Sequence, residues 1–120
     1  MRHTLKLHGI IVGHSDLEEV DAADRRVWGH FRPGLGYELV QPIFRLFSEA
    51  TPMPGGEPLD QIKVAQYLAA RDKLPLELVD DRGVTIATAG IHIADYTEER
   101  GPDALSLDVL ITDEGYWERR

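Results

Sequence analysis

The chain has 120 residues, and its 13 Lys and Arg against 21 Asp and Glu give a formal net charge of −8 at pH 7. Its length and its hydrophobic fraction of 42% are those of one folded domain, residues 1–120. The acidic balance argues against nucleic-acid binding, and the absence of cysteine excludes disulfides, thiolate metal sites and thiol nucleophiles. Because no signal-peptide pattern and no stretch of roughly 18 apolar residues occurs, we expect a cytoplasmic protein with no membrane partner.

The first third of the chain predicts β-strands. Apolar and polar residues alternate over residues 5–12, as one strand entering a sheet requires. Extended segments over 16–20 and 25–31 flank the polar turn Asp21-Ala22-Ala23-Asp24, and this arrangement predicts a β-hairpin.

Residues 36–50 allow two interpretations. Pro42 disfavours helical backbone in the residue before it, so the preferred interpretation is a helical turn over 36–41 followed by a strand. The alternative is one helix over 37–50 with Pro42 in its early turns, because apolar residues also recur at helical spacing.

The second half begins with a Pro- and Gly-rich surface loop over 51–57. The main helix is predicted over 60–71, with Leu59, Ile62, Ala65 and Leu68 or Ala69 on its inward face. Segments 76–79 and 84–96 predict a hairpin, and a change of apolar parity within the second arm predicts a bulge near Gly90 or burial of both faces. Strict alternation over 105–111 predicts a strand with one solvent-facing side.

These elements predict an α+β fold, a mostly antiparallel curved β-sheet of six to seven strands packed on one main α-helix. The second face of that sheet would be partly apolar, because it carries Ile10, Val12, Val84 and Ile86. We therefore expect a homodimer that buries this face.

A candidate binding surface consists of Trp28, Arg32, Tyr37 and Arg45. Aromatic side chains beside arginines are typical of protein interfaces, although aromatic residues at these positions also suit a core. No cofactor motif is present, so we expect no cofactor. The sequence identifies no activity, and we expect a non-catalytic binding or protein-interaction module with a possible protein partner.

The alternative function is a small metal-dependent hydrolase or lyase. Its metal ligands would be His8, His30, His92 and Asp95. A spacing of three on one strand places His92 and Asp95 on opposite faces, so these ligands converge only if a bulge intervenes.

Several short motifs follow one another between residues 13 and 41 and together form one pattern. They are Gly13-His14-Ser15-Asp16-Leu17-Glu18, then Asp21, Gly29-His30-Phe31-Arg32-Pro33, and Tyr37 with Gln41. The pattern resembles Gly-x-Ser-x-Leu-Glu, Asp, Gly-x-Phe-x-Pro, Tyr in a family of small uncharacterised bacterial proteins. That family has no assigned activity, so the resemblance implies a bacterial origin and favours a hairpin over a helix in this region.

Overall fold

The computed structural model describes residues 1–119 as nine β-strands, a 3₁₀ turn and four α-helices. The strands are His3–Leu7 (β1), Ile10–Ser15 (β2), Glu19–Asp21 (β3), Arg26–His30 (β4), Arg32–Pro33 (β5), Leu76–Val79 (β6), Thr85–Ile86 (β7), Thr88–Asp95 (β8) and Leu105–Ile111 (β9). The helices are Gln41–Ala50 (α1), Gln61–Asp72 (α2), Thr97–Arg100 (α3) and Glu114–Glu118 (α4), and Tyr37–Leu39 forms the 3₁₀ turn.

The strands form two antiparallel sheets. One has the order β5-β2-β1-β6-β7 and the other the order β3-β4-β9-β8. A single cluster of buried side chains draws on both sheets and on helices α1 and α2, with Leu5, Val27 and Phe44 among its fully buried members. The fold class α+β is therefore confirmed, but the prediction of one sheet packed on one main helix is wrong, because two sheets and a pair of contacting helices share the core.

Local signals located three elements correctly. The hairpin of β3 and β4 turns through residues 22–25, where the Asp21 side chain accepts a hydrogen bond from the backbone N–H of Asp24. Helix α2 begins after Asp60, whose carboxylate accepts a hydrogen bond from the backbone N–H of Lys63. Strand β9 alternates between buried and more exposed residues along its whole length, as its pattern predicted.

Two strands replace the single strand predicted over residues 5–12. The chain reverses at His8 and Gly9, which have positive φ angles of 49° and 79°, and β2 then returns antiparallel to β1. A glycine adopts such an angle without steric cost, so the turn forms here even though the apolar alternation continues through it.

The preferred interpretation of residues 36–50 is right about a helical turn near its start but wrong about the strand that follows. The segment contains a 3₁₀ turn and then helix α1, with Pro42 in the first helical turn, where its missing N–H leaves no hydrogen bond unmade. The helical alternative is closer, although the α-helix starts at Gln41 and not at Tyr37. The helical spacing of the apolar residues therefore prevails, and it places Phe44 in the core.

Helix α2 presents a different face to the core from the one predicted. Leu59 and Ile62 are 81% and 73% exposed, whereas Tyr67 is buried. The face that carries Tyr67 is turned toward the core because Tyr67 contacts helix α1 and strand β8, as described below.

The predicted second arm over 84–96 divides between the two sheets. Strand β7 pairs with β6 in the first sheet, and β8 pairs with β9 in the second, with only Ala87 between them. A register shift between Thr88 and Gly90 confirms the bulge predicted near Gly90.

The apolar face proposed for a dimer is not one surface. Val12 and Ile86 are buried in the core of the single chain, while Ile10 and Val84 are exposed. The homodimer remains a prediction without that face to support it. Within residues 1–119, no helix is long and apolar enough to cross a membrane.

Candidate ligand-binding groove

The floor of the candidate site is the outer face of the four-stranded sheet. Strand pairing places Glu19 opposite Trp28, Trp28 opposite Asp108, and Asp108 opposite His92. These four residues therefore form one row across β3, β4, β9 and β8. Their inward-facing neighbours on β4, β8 and β9, Val27, Ile91, Ile93, Leu107 and Val109, belong to the core.

A groove of about 870 Å³ runs over this floor. One wall is formed by Phe47 of α1 and by the following loop, with Thr51 and residues 54–56. Another includes Tyr96, Arg100 and residues 103–106, and Glu18 and Glu19 lie at the β3 side. The groove thus combines aromatic side chains with carboxylates and arginines.

Arg26 and Asp108 form an ion pair on the groove floor. The Nε atom of Arg26 donates hydrogen bonds to both carboxylate oxygens of Asp108 at 2.9 Å, and a guanidinium NH₂ group donates a further, very short one. The same guanidinium lies over the Trp28 ring at 4.7 Å from the ring centroid. Arg26 therefore neutralises Asp108 and fixes the Trp28 side chain against the sheet.

His92 lies where the sheet meets the two long helices. Its ring packs edge-on against Phe47 of α1, with ring centroids 4.7 Å apart, and against Tyr67 of α2, with centroids 5.5 Å apart. The Tyr67 hydroxyl makes a short hydrogen bond with Nδ1 of His92. Sequence periodicity alone could not find this contact, because it required the register of β8 and the rotation of α2.

The Tyr67 hydroxyl connects His92 to Arg71. Arg71 donates a hydrogen bond of 3.4 Å to the Tyr67 hydroxyl oxygen, so the hydroxyl proton is free to be donated to Nδ1 of His92. Burial, reinforced by the nearby charges of Arg71 and Arg26 and opposed by Asp108, lowers the pKa of His92 to about 4. The imidazole is therefore neutral near pH 7.

Asp95 is buried on the opposite face of β8. Its Oδ2 atom accepts hydrogen bonds from the Tyr37 hydroxyl at 2.5 Å and from the Gln41 amide at 3.0 Å, and its Oδ1 atom accepts from the Thr97 hydroxyl at 2.6 Å and the Thr97 N–H at 3.0 Å. Burial alone would raise the pKa of Asp95, but the hydrogen bonds from Thr97, Tyr37 and Gln41 together lower it. Asp95 thus joins the start of α1, the end of β8 and α3.

The predicted binding residues do not form one surface. Trp28 lies in the groove, whereas Arg32 lies on β5 in the other sheet and faces Asp16 at 3.5 Å. Tyr37 is buried, and burial together with its hydrogen bond to Asp95 raises its pKa. Arg45 donates a hydrogen bond to the carbonyl oxygen of Asp95 at 2.7 Å and forms ion pairs with Glu98 and Glu99. Tyr37 and Arg45 therefore stabilise the junction between α1, the end of β8 and α3.

The predicted metal ligands are not brought together. His8 lies in the turn between β1 and β2, and β9 separates His30 from His92 on the sheet face. Asp95 points to the opposite face of β8 from His92. Among residues 1–119, no group of three or more His, Asp or Glu side chains has an arrangement that could hold a metal ion.

Most of the groove residues are not identified as site residues by the sequence pattern. Asp108 was recognised only as part of a solvent-facing side of β9, and Glu19 only as part of a hairpin arm. A charge pattern could have paired Asp108 with Arg26 once the order of the strands was known. Tyr96, which donates a hydrogen bond to the Thr51 carbonyl oxygen at 2.6 Å, gave no sequence signal.

Comparisons with known proteins add no relative. No protein-family model, no curated protein and no solved structure matches the chain. The function of the chain is therefore inferred from the geometry of the groove.

Replacing Asp95 by Asn should destabilise the fold by about 2–4 kcal/mol, because the amide cannot accept all the hydrogen bonds that the buried carboxylate receives. Tyr37→Phe removes one hydrogen-bond donor and should lower the free energy of unfolding by about 1 kcal/mol.

The Asp95 carboxylate should also make stability depend on pH, because its pKa is lowered in the folded chain. Its contribution to the free energy of unfolding is complete above the unfolded pKa near 4 and is lost as the pH falls through the folded value. Urea unfolding between pH 2 and 7 measures these effects. Asp103→Asn, an exposed carboxylate change, is the control, and an Asp95→Asn variant as stable as this control would contradict the assignment.

His92 should make stability depend on pH between about 4 and 6.5. The unfolded chain binds a proton on this histidine below its ordinary pKa of 6.5, whereas the folded chain does so only near 4. The contribution of His92 to the free energy of unfolding is therefore complete above pH 6.5. It decreases as the pH is lowered through this window, by up to about 1.4 kcal/mol per pH unit. In the variant His92→Phe with Tyr67→Phe, which keeps the aromatic packing, this slope in urea unfolding curves should become markedly shallower. His30→Asn controls for the loss of an exposed imidazole. A slope unchanged in the double variant would show that His92 is not its source.

Proposed function

We propose that this chain is a non-catalytic binding module whose ligand occupies the groove on the outer face of the four-stranded sheet. One observation carries this proposal: the groove joins aromatic walls to polar groups that have no partner within the described chain. Its volume of about 870 Å³ lies within the range of small-molecule sites, roughly 300–1,000 Å³. The concave surface therefore suits a small ligand better than a flat protein interface.

The chemistry of the groove supports binding over catalysis. The one titratable side chain there with a strongly lowered pKa, within residues 1–119, is His92, and its value near 4 makes the imidazole a weak base at neutral pH. Asp108, which lies directly opposite His92 on β9, already pairs with Arg26. The imidazole and the carboxylate that face each other on the groove floor are therefore engaged by Tyr67 and Arg26, an arrangement that favours recognition over proton transfer.

The two tryptophans allow a direct test of this site. Trp28 lies in the groove, whereas Trp117 packs near the C-terminus and its indole N–H donates to the Ile111 carbonyl oxygen at 2.9 Å. In a screen of small metabolites followed by ¹H–¹⁵N NMR, ligands should shift the indole signal of Trp28 and leave that of Trp117 in place. The shifted backbone signals should include those of Tyr96 and Ser106.

The control for this screen is Trp28→Phe, which keeps an aromatic ring in the groove and removes the reporter. Ligands found with the parent chain should still shift the Tyr96 and Ser106 signals of this variant. The proposal would be contradicted if the screen yielded no ligand, or if the ligands moved Trp117 and the signals of the other sheet.

A further inference from the structure

We propose that the ligand of the groove is an aliphatic diamine or polyamine, held by carboxylates through its amino groups and by aromatic rings along its alkyl chain. This inference rests on the proposed function, since it names the ligand class of the same groove. Four features of the described residues support it: the unpaired charge, the aromatic walls, a buried hydroxyl and the full pairing of the two strands at the centre of the groove floor.

The unpaired charge in the groove is mainly negative. Glu19 and Asp103 have no hydrogen-bond or ion-pair partner within residues 1–119, and Glu18 accepts only a long hydrogen bond of 3.4 Å from the backbone N–H of His30. Against these three carboxylates, Arg100 is the one groove guanidinium in the same range without a carboxylate partner, because Arg26 is committed to Asp108. The remaining field therefore attracts cations.

The carboxylates lie on different sides of the groove floor. Glu18 and Glu19 lie at the β3 side, and Asp103 lies in the loop before β9. Strands β3 and β9 are separated by β4, which corresponds to roughly 10 Å between their axes. A ligand that satisfies both ends needs at least two cationic groups on one extended chain.

The aromatic side chains between these ends suit an alkyl chain. Phe47 and Tyr96 line the walls, and Trp28 lies on the floor. Arg26 already occupies one face of Trp28, with its guanidinium 4.7 Å from the ring centroid, which shows that the ring accepts a cation there. Methylene groups against these rings would leave water, and ammonium groups beside the rings would gain cation–π attraction.

Thr51 provides an independent indication of a polar ligand. It lines the groove wall and is only 1% exposed, yet its Oγ1 atom has no hydrogen-bond partner within the described residues. A buried hydroxyl without a partner is costly, and an ammonium group that donates to Oγ1 would remove that cost.

The groove floor disfavours an extended basic peptide. Strands β4 and β9, which form the centre of the floor, are each paired on both sides. Their backbone N–H and C=O groups are therefore committed to the sheet, and a peptide lying over them could not pair its own amides with these two strands. An alkyl amine offers cationic groups to the same carboxylates but has no amides. Its binding therefore avoids the free-energy cost of burying amides without partners.

The test uses the Trp117→Phe variant, in which Trp28 is the only tryptophan. Its fluorescence is titrated with octanediamine, octanediol and octanedioate, which share one chain length and differ in charge. We expect octanediamine to shift the Trp28 emission saturably and the other two to leave it unchanged. A circular-dichroism melt confirms that the Trp117→Phe variant is folded.

Two charge variants on this background separate the groove from the general acidity of the chain. Glu19→Gln with Asp103→Asn removes two groove carboxylates and should weaken octanediamine binding by about tenfold or more. Glu77→Gln with Asp81→Asn makes the same change of net charge at exposed positions of the other sheet and should change the affinity less than about twofold.

Different failures lead to different conclusions. Equal weakening by the two charge variants, or binding of octanediol as tight as that of octanediamine, would overturn the amine inference and leave the groove as a site for another ligand. A response to octanedioate alone would do the same. The absence of any response to octanediamine would also overturn the amine inference. The proposed function is tested separately, by whether the ligands found in the metabolite screen shift the signal of Trp28 or those of Trp117 and the other sheet.

Discussion

The packing of the helices against the sheets depends on Asp95, a carboxylate with no solvent exposure at the end of β8. Its oxygens accept four hydrogen bonds, two of them from residues that precede or begin α1 and two from Thr97. A buried charge is tolerated only when it is satisfied in this way, so the position of α1 relative to β8 is tightly specified. Arg45 adds a second connection from α1 to the same strand end through the Asp95 carbonyl oxygen.

The groove is a consequence of that position. Once α1 lies beside β8, Phe47 contacts His92, and α2 packs on α1 so that Tyr67 reaches the same imidazole. The loop between the two helices then forms one wall over the sheet face. Asp95 and His92 therefore act on opposite faces of β8. The first holds the helix in place as a satisfied anion, and the second is a neutral imidazole beside the proposed ligand site.

Local chemistry predicted the elements whose signals are complete within a few residues. The polar turn between β3 and β4, the Asp60 cap of α2 and the alternation of β9 belong to this group. The division into two sheets could not be predicted in this way, because a single residue, Ala87, separates β7 from β8 while the extended pattern continues through it. Predicting the groove would also require the strand order and register, because these alone bring Glu19, Trp28, Asp108 and His92 into one row. Of the predicted binding residues, Trp28 alone lies in the groove. Tyr37 is instead buried in the core, where its hydroxyl donates a hydrogen bond to Asp95.

The central claim is that the outer face of the four-stranded sheet is where this protein binds its ligand. Hydrogen–deuterium exchange of the parent chain, with and without saturating octanediamine and with octanediol as the matched neutral probe, tests this location most directly. The account predicts that the diamine slows exchange in the loop over 51–57 and in residues 101–106, and leaves the turn over 80–84 in the other sheet unchanged. Protection confined to the exposed face of α2 or to the five-stranded sheet would contradict it.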